Sequence, residues 1–252
     1  MSYETILYEE DNHIGLLTLN RPQTVNALNL KMIEELEQVF HDLNDSEKVR
    51  VVILTGAGEK GFCSGMDMQE AALPLFEQPL NIIYKYQSRT SQLYYKMRSL
   101  PQPIIAAIHG SAAGAGFSFA MASDVRVLTP QARFSAAYIN IGLGGADLAS
   151  SYFLPRLIGS GRANEFLLTG EFMTAEEAIQ LGFASRMVPV EKILDTAFEI
   201  AQKMVDKNPF GLRLTKEAIN QNLGVSSLEQ ALQLENRNQV LLIAGMKLEQ
   251  TK

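Results

Sequence analysis

The segment IIAAIHGSAAGAGF, residues 104–117, carries the strongest structural signal in the chain. Its first five residues are all apolar, which is typical of a strand that is buried on both faces. Small residues follow as far as Gly116, and a helix-like run over 117–122 comes next. The β-branched run 49–55 leads into the glycine-rich residues 56–65 in a similar way. Two such units predict an α/β core.

The rest of the chain extends this core and then becomes mainly helical. The other expected elements are strand 14–19, a helix capped by Asn29, helix 80–98, strand 124–128 and short strand 132–136. Beyond Asp147 helical spacing dominates, and residues 174–177 and 226–229 both match capping boxes. We therefore expect an α/β core over residues 1–195 and a C-terminal helical region over residues 196–252.

Composition and charge exclude several classes of protein. The 252 residues carry a formal net charge of −6, and 46% of them are hydrophobic. A disordered chain is therefore excluded, and binding of nucleic acid through its phosphates is disfavoured. Cys63 is the only cysteine and the three histidines are scattered, so neither an intrachain disulfide nor a metal site is expected. The N-terminus has no signal-like leader, and the apolar runs are too short to span a membrane. We expect a cytoplasmic protein with no membrane, nucleic-acid or metal partner.

The glycines that follow the β-branched run allow two interpretations. Residues 56–61, GAGEKG, match the dinucleotide-binding pattern G-x-G-x-x-G. That pattern requires a helix and then a second strand. Here Gly65 interrupts the helix, and residues 70–80 show no strand pattern. The second interpretation pairs residues 61–67 with residues 110–117, because backbone N–H groups at two such strand ends can form an oxyanion hole. Close packing of the backbone is the purely structural alternative for the same glycines.

A further set of short motifs occurs in a fixed order along the chain. They are LNRP (19–22) with NAL (26–28), FCSGMD (62–67), PIIAAIHG (103–110) running into GAG (114–116), AMASD (120–124), ARF (132–134), LPRLIG (154–159) and LTG (168–170). With these motifs the chain resembles the enoyl-CoA hydratase/isomerase (crotonase) family. The resemblance implies a crotonase-like spiral of ββα units with a C-terminal helical trimerisation region, assembled as a homotrimer or a dimer of trimers. It also implies acyl-CoA substrates, and no cofactor other than the coenzyme A that enters as part of the substrate.

The resemblance also assigns binding residues. It makes the backbone N–H groups of Met66 and Ala115 the oxyanion donors, which would stabilise the negative charge that develops on the thioester oxygen. Contacts with CoA or with the acyl group are implied at Ala27, Ser64, Gly65, Asp67, Met68 and Gly114. Residues 84–86 lie where family members cover the acyl group.

The sequence departs from the family at the two glutamates that hydratases use to add water. Ser118 and Tyr138 occupy these positions, so neither can act as a carboxylate base. Asp147 is the remaining candidate for proton transfer, and it resembles the catalytic aspartate of dienoyl-CoA isomerases and of chlorobenzoyl-CoA dehalogenase. The structural alternative is that Asp147 caps a helix beginning at Leu148. The catalytic candidates are therefore Asp147, Tyr138 and Ser118.

These residues predict an enoyl-CoA isomerase, or an atypical enoyl-CoA hydratase, that stabilises a thioester enolate and moves a proton with Asp147. A thioester hydrolase, a decarboxylase and a ring-forming enzyme are alternatives on the same fold. A non-catalytic or RNA-binding family member is a different class. The acidic net charge argues against RNA binding, and the two glycine-bearing segments argue against an inert scaffold.

Overall fold

The structure is a computed structural model that describes residues 3–249. In chain order its strands are β1 (Ile6–Asp11), β2 (Ile14–Leu19), β3 (Val51–Gly56), β4 (Ile104–Ile108), β5 (Ser111–Ala113), β6 (Val125–Leu128), β7 (Arg133–Ser135), β8 (Met173–Thr174) and β9 (Arg186–Met187). Its α-helices are α1 (Leu30–Asn44), α2 (Leu73–Phe76), α3 (Leu80–Ser99), α4 (Ala115–Ala122), α5 (Ser150–Ile158), α6 (Ser160–Thr169), α7 (Ala175–Gln180), α8 (Ile193–Val205), α9 (Pro209–Asn222) and α10 (Leu228–Glu249).

The strands form two sheets. The main sheet has the order β1-β2-β3-β4-β6-β9, and β5, β7 and β8 form a second sheet of three strands. The β1–β2 pair is antiparallel, and the other neighbours in the main sheet are parallel. The expected α/β core is therefore present, and its sheet is mainly parallel.

The central strands β3 and β4 of the main sheet are buried on both faces. Successive side chains of a strand point to opposite faces, so Leu54 and Ile108 belong to one hydrophobic core, whereas Ile53 and Ala107 belong to another. Helix α8 covers the second face with Ile193, Ala197, Ala201 and Val205. This double burial explains why the sequence of these strands is continuously apolar rather than alternating.

Several elements begin where the sequence predicts them. Helix α1 follows Asn29, whose side-chain oxygen accepts a hydrogen bond from the Met32 N–H at 2.9 Å. Thr174 and Glu177 form the expected capping box at the start of α7. Helix α4 begins two residues earlier than the helix-like run suggested, because Gly116 is already helical.

The glycine-rich segment after β3 lies against β5. The Cys63 N–H donates to the Ser111 carbonyl at 3.0 Å, and the Ala113 N–H donates to the Cys63 carbonyl at 2.9 Å. The sequence does not predict β5, because Ser-Ala-Ala has no β-branched or aromatic residue; its partners create it. All of residues 56–67 are described and none is helical, so the dinucleotide interpretation lacks the helix that it needs.

The C-terminal helices attach to the core through a buried lysine on α9. The Lys216 ammonium donates to the Met97 and Gln102 carbonyls at 3.0 and 2.8 Å, and it pairs with Asp124 at 3.0 Å. The boundary predicted between residues 195 and 196 falls inside α8. As packed, the core extends through α8 to its end.

Helix α10 buries little of its apolar surface within one chain. Its exposed large apolar residues include Leu228, Leu232, Val240, Leu241, Ile243 and Met246. Across residues 3–249, no helix combines the length and the hydropathy that crossing a membrane requires.

Candidate active site

Two backbone segments meet where α4 begins. Gly65 has a φ of +105°, and a side chain added there would lie 3.0 Å from the Ala113 carbonyl oxygen and 3.5 Å from the Ala115 nitrogen. Ala115 is the first residue of α4, so its N–H has no partner inside the helix. Neither this N–H nor that of Met66 donates to an acceptor within the described residues. The structure thus brings the predicted residues Gly65, Met66, Gly114 and Ala115 together. Two free N–H groups, of which that of Ala115 lies at the start of α4, suit an anion.

The close approach of these segments depends on Gly116. A Cβ atom at this position would lie 2.1 Å from the carbonyl oxygen of Cys63, a distance at which the backbone must move. The glycine therefore meets the packing requirement of the structural alternative. The same packing holds the two N–H-bearing segments side by side.

Asp147 lies just before α5, and its carboxylate is held on one side. Its Oδ1 accepts hydrogen bonds from the Leu148 N–H at 2.7 Å and from the Nε2 of Gln87 on α3. Its own N–H donates to the Ser150 hydroxyl at 3.1 Å. Burial raises the pKa of the Asp147 carboxyl, and the two hydrogen bonds to Oδ1 oppose this only in part. A carboxyl group with a raised pKa is suited to proton transfer near neutral pH.

The helix-cap hypothesis for Asp147 is wrong. Helix α5 begins at Ser150 rather than Leu148, and its N-cap residue is Ala149. Leu148 and Ala149 both have left-handed backbone conformations, with φ values of 47° and 66°. These two residues separate the carboxylate from the helix, so it bonds the N–H of the next residue instead of an N–H in the first turn.

Tyr138 connects the Asp147 loop to the glycine-bearing segments. Its hydroxyl donates to the backbone carbonyl of Asp147 at 3.2 Å, and its ring would lie 3.6 Å from a side chain at Gly114. Burial raises the pKa of the Tyr138 phenol to about 12, although the hydroxyls of Ser150 and Ser118 act in the opposite direction. The phenol therefore stays protonated at neutral pH and can donate a hydrogen bond.

Ser118 lies in the first turn of α4 and is fully buried. Its hydroxyl has no hydrogen-bond partner of good geometry among residues 3–249. Catalytic roles for Ser118 and Tyr138 stay predictions, since neither side chain supplies a carboxylate.

The residues expected to contact CoA differ in accessibility. Met68 and Ser64 are exposed, and the Ser64 hydroxyl donates to the Thr24 carbonyl at 2.9 Å. Ala27 is buried. Of these residues, Met68 and Ser64 are therefore the more accessible to a ligand.

Asp67 has a structural partner that the sequence did not indicate. Its buried carboxylate pairs with the buried guanidinium of Arg21 at 2.7 Å and accepts hydrogen bonds from the N–H groups of Gln69 and Glu70. These bonds and this charge lower the pKa of Asp67, outweighing its burial. The buried carboxylate is thus already held by three donors, and CoA contact at this position stays a prediction.

Three residues of α3, Tyr86, Gln87 and Tyr94, contact the site. The family resemblance implies a role only for Tyr86, as part of the cover over the acyl group, and Gln87 directly follows that segment. The helical spacing of apolar residues on α3 marks the buried face that includes Tyr86. A glutamine at the edge of that face gives no separate signal.

Cys63 and His109 are also buried. Cys63 is completely buried, and burial raises the pKa of its thiol to about 12, so the thiol stays protonated at neutral pH. Burial also lowers the pKa of His109. Within the described part of the chain, no cluster of three or more His, Cys, Asp or Glu residues could hold a metal ion.

Comparisons with known proteins agree with this architecture. A family model described as enoyl-CoA hydratase/isomerase matches residues 9–250. A Mycobacterium leprae protein named probable enoyl-CoA hydratase echA12 is 41% identical over 233 residues, which cover 91% of this chain and 79% of that protein. The chain therefore belongs to the enoyl-CoA hydratase/isomerase family, and it is an acyl-CoA enzyme of that family.

Solved structures show the same fold. The crystal structure of an enoyl-CoA hydratase from Bacillus anthracis matches with a TM-score of 0.90 and 34% identity, covering 96% of this chain and 92% of the other. A monofunctional enoyl-CoA isomerase from Mycobacterium smegmatis matches with a TM-score of 0.77 and 37% identity, covering 91% and 98%. The predicted crotonase-like fold is confirmed. The relatives include both hydratases and an isomerase.

Proposed function

We propose that this protein is an enoyl-CoA isomerase, with weak hydratase activity at most, that uses Asp147 as its acid and base. The observation that carries the proposal is the Asp147 carboxylate itself. It is the carboxylate that the site offers in place of the family's two glutamates, and its second oxygen, Oδ2, accepts no hydrogen bond from residues 3–249. Tyr138 contacts both the loop that carries Asp147 and the segment at Gly114, next to the free N–H group of Ala115.

The proposed reaction is a proton shift along the acyl chain. The thioester oxygen accepts hydrogen bonds from the N–H groups of Met66 and Ala115, so that the charge of the enolate is stabilised as it develops. Asp147 removes a proton from the carbon next to the thioester carbonyl. It returns the proton two carbons further along, and the double bond moves into conjugation. Apart from the CoA carried by the substrate, this mechanism uses no cofactor.

Hydration is expected to be slow because the site lacks the two glutamates that add water in the family. Addition of water needs one group to activate the water and another to protonate the α-carbon. In the family these groups are glutamates, and here Ser118 and a protonated Tyr138 take their places. One carboxylate can serve a proton shift, whereas hydration would lack its partner.

We expect isomerisation of trans-3-hexenoyl-CoA to the 2-enoyl product to exceed hydration of crotonyl-CoA by about 10²-fold or more, the usual contribution of one positioned proton-transfer group. Chromatographic separation of the acyl-CoA products from one enzyme preparation measures both rates. Rapid hydration of crotonyl-CoA would show that a second base exists and that the argument from the missing glutamates is wrong.

We propose, in addition, that the protein is a homotrimer or a dimer of trimers. The support is the apolar surface that α10 leaves exposed in one chain, because a helix with so much exposed apolar area is often an interface. Light scattering at micromolar concentration should then give three or six times the monomer mass of 27.9 kDa. A monomer mass would contradict the proposal.

A further inference from the structure

Helix α3 contacts all three parts of the proposed site. The Tyr86 hydroxyl donates to the Met66 sulfur at 3.5 Å, and the Tyr94 hydroxyl donates to the Ala115 carbonyl at 3.2 Å. Gln87 donates to Asp147 at 2.5 Å. At 3.6 residues per turn, positions 86, 87 and 94 lie within about 100° of one another around the helix axis, so all three share one side of α3. One rigid element therefore touches both oxyanion segments and the proposed base.

The Gln87 contact distinguishes the two oxygens of the Asp147 carboxylate. An ionised carboxylate can only accept hydrogen bonds, so the amide nitrogen of Gln87, and not its oxygen, faces Oδ1. The Leu148 N–H donates to the same oxygen. Two donors on Oδ1 fix the plane of the carboxylate and leave Oδ2 available for a proton.

We propose that Gln87 is a positioning residue for the proposed proton shift: it orients the Asp147 carboxylate so that Oδ2 carries the transferred proton. This inference rests on the proposed function. Gln87 acts through Asp147 and does not itself exchange a proton, because a carboxamide does not titrate in the neutral range. A neutral donor suits this role, since a lysine or arginine would add a full charge and hold the carboxylate ionised.

The surroundings of Asp147 allow the effect of Gln87 to be measured as a shift in the pH at which Asp147 ionises. The titratable groups that face Asp147 are the phenols of Tyr138 and Tyr94, and burial raises the pKa of both, so they stay neutral across the working range. The hydrogen bond from Gln87 lowers the pKa of Asp147 against the effect of burial. Its loss should therefore move the ionisation of Asp147 to higher pH.

The test compares Gln87→Met, which keeps the size of the side chain and removes the donor, with the unchanged enzyme. We expect kcat for deuterium washout from the acyl carbons to fall about tenfold or more, the effect of a lost hydrogen bond to a charged group. KM should stay the same. The ionisation in the pH profile should move upward, so that the loss is largest at low pH.

A second variant and a control complete the design. Gln87→Glu places a like charge beside Asp147, so the profile should move in the same direction and further. Ser91→Ala, one turn along α3, removes only a local hydrogen bond to the Ser88 carbonyl and should change neither rate nor profile.

The outcomes separate the two proposals. Absence of washout in the unchanged enzyme would overturn the proposed function. Washout that Asp147→Asn abolishes, but that Gln87→Met leaves unaltered in rate and profile, would overturn the role of Gln87 alone. A lower rate with an unmoved profile in both Gln87 variants would make Gln87 merely structural and would equally overturn the inference.

Discussion

Replacing Asp147 with asparagine is expected to lower kcat by about 10²–10⁴, the usual contribution of a positioned acid or base. Asparagine keeps an oxygen that can accept the hydrogen bonds from Leu148 and Gln87, so the loop and the fold should be retained. What it loses is the titrating group. The loss should appear in kcat rather than in KM, because the carboxylate acts mainly in the transition state. Deuterium washout from the acyl carbons measures it, since this readout needs no net reaction.

The pH profile supplies a second readout for Asp147→Asn. A base works when ionised, so the activity of the unchanged enzyme should rise with pH through the raised pKa of Asp147 and then level off. The variant should lack this step. Asp206→Asn is the matched control, because Asp206 also accepts a hydrogen bond from a glutamine, Gln202 at 2.8 Å, but is exposed at the end of α8. Unchanged washout in Asp147→Asn would make Asp147 structural and would leave Tyr138 as the next candidate.

Gly116→Ala should damage both the fold and the site. Its Cβ would lie 2.1 Å from the Cys63 carbonyl oxygen and 2.8 Å from the carbonyl carbon, so the backbone must shift. We expect a loss of about 3 kcal/mol or more in the free energy of unfolding, at the upper end of overpacking effects. For a chain of this size that corresponds to a fall of roughly 10 °C in Tm. The shift also separates the N–H groups of Met66 and Ala115, so kcat should fall by about 10²-fold.

Gly161→Ala is the control for this substitution. Gly161 lies in α6, and a side chain there would meet nothing within 4 Å. Alanine should therefore be neutral or stabilising by up to about 1 kcal/mol, as expected from helix propensity. Calorimetry and washout assays on both variants measure the contrast. Wild-type stability and activity in Gly116→Ala would show that the two segments are not held as closely as described.

The sequence predicts best those strands and helices whose own residues favour that structure. The apolar run 104–108 forms β4 as predicted, and Asn29 caps α1. It predicts poorly those elements whose structure depends on contacts with distant parts of the chain. The strand β5 exists because Cys63 and β7 pair with it, and α5 begins late because Leu148 and Ala149 adopt left-handed conformations that no residue type there suggests.

The candidate site shows the same division. Gly65, Met66, Gly114 and Ala115 could be predicted as neighbours, because the two glycine-bearing segments follow parallel strands of one sheet. Gln87 could not, since its contact with Asp147 spans 60 positions and depends on how α3 packs. Asp67 is the converse: the family resemblance implies contact with CoA at this residue, whereas in the structure its side chain pairs with Arg21.

Some of the proposed functional groups belong to the main chain and others to side chains, and this difference affects how the chemistry of the site can evolve. The proposed anion-binding groups are N–H groups, so exchanging the side chains of Met66 and Ala115 leaves them in place. The proposed base, Asp147, and the predicted catalytic residues Ser118 and Tyr138 act instead through side chains, which mutation replaces. Mutation of these side chains can therefore change how protons are moved while the groups that stabilise the enolate are kept, and an engineer could seek new reactions by varying these three positions while the glycines are left untouched.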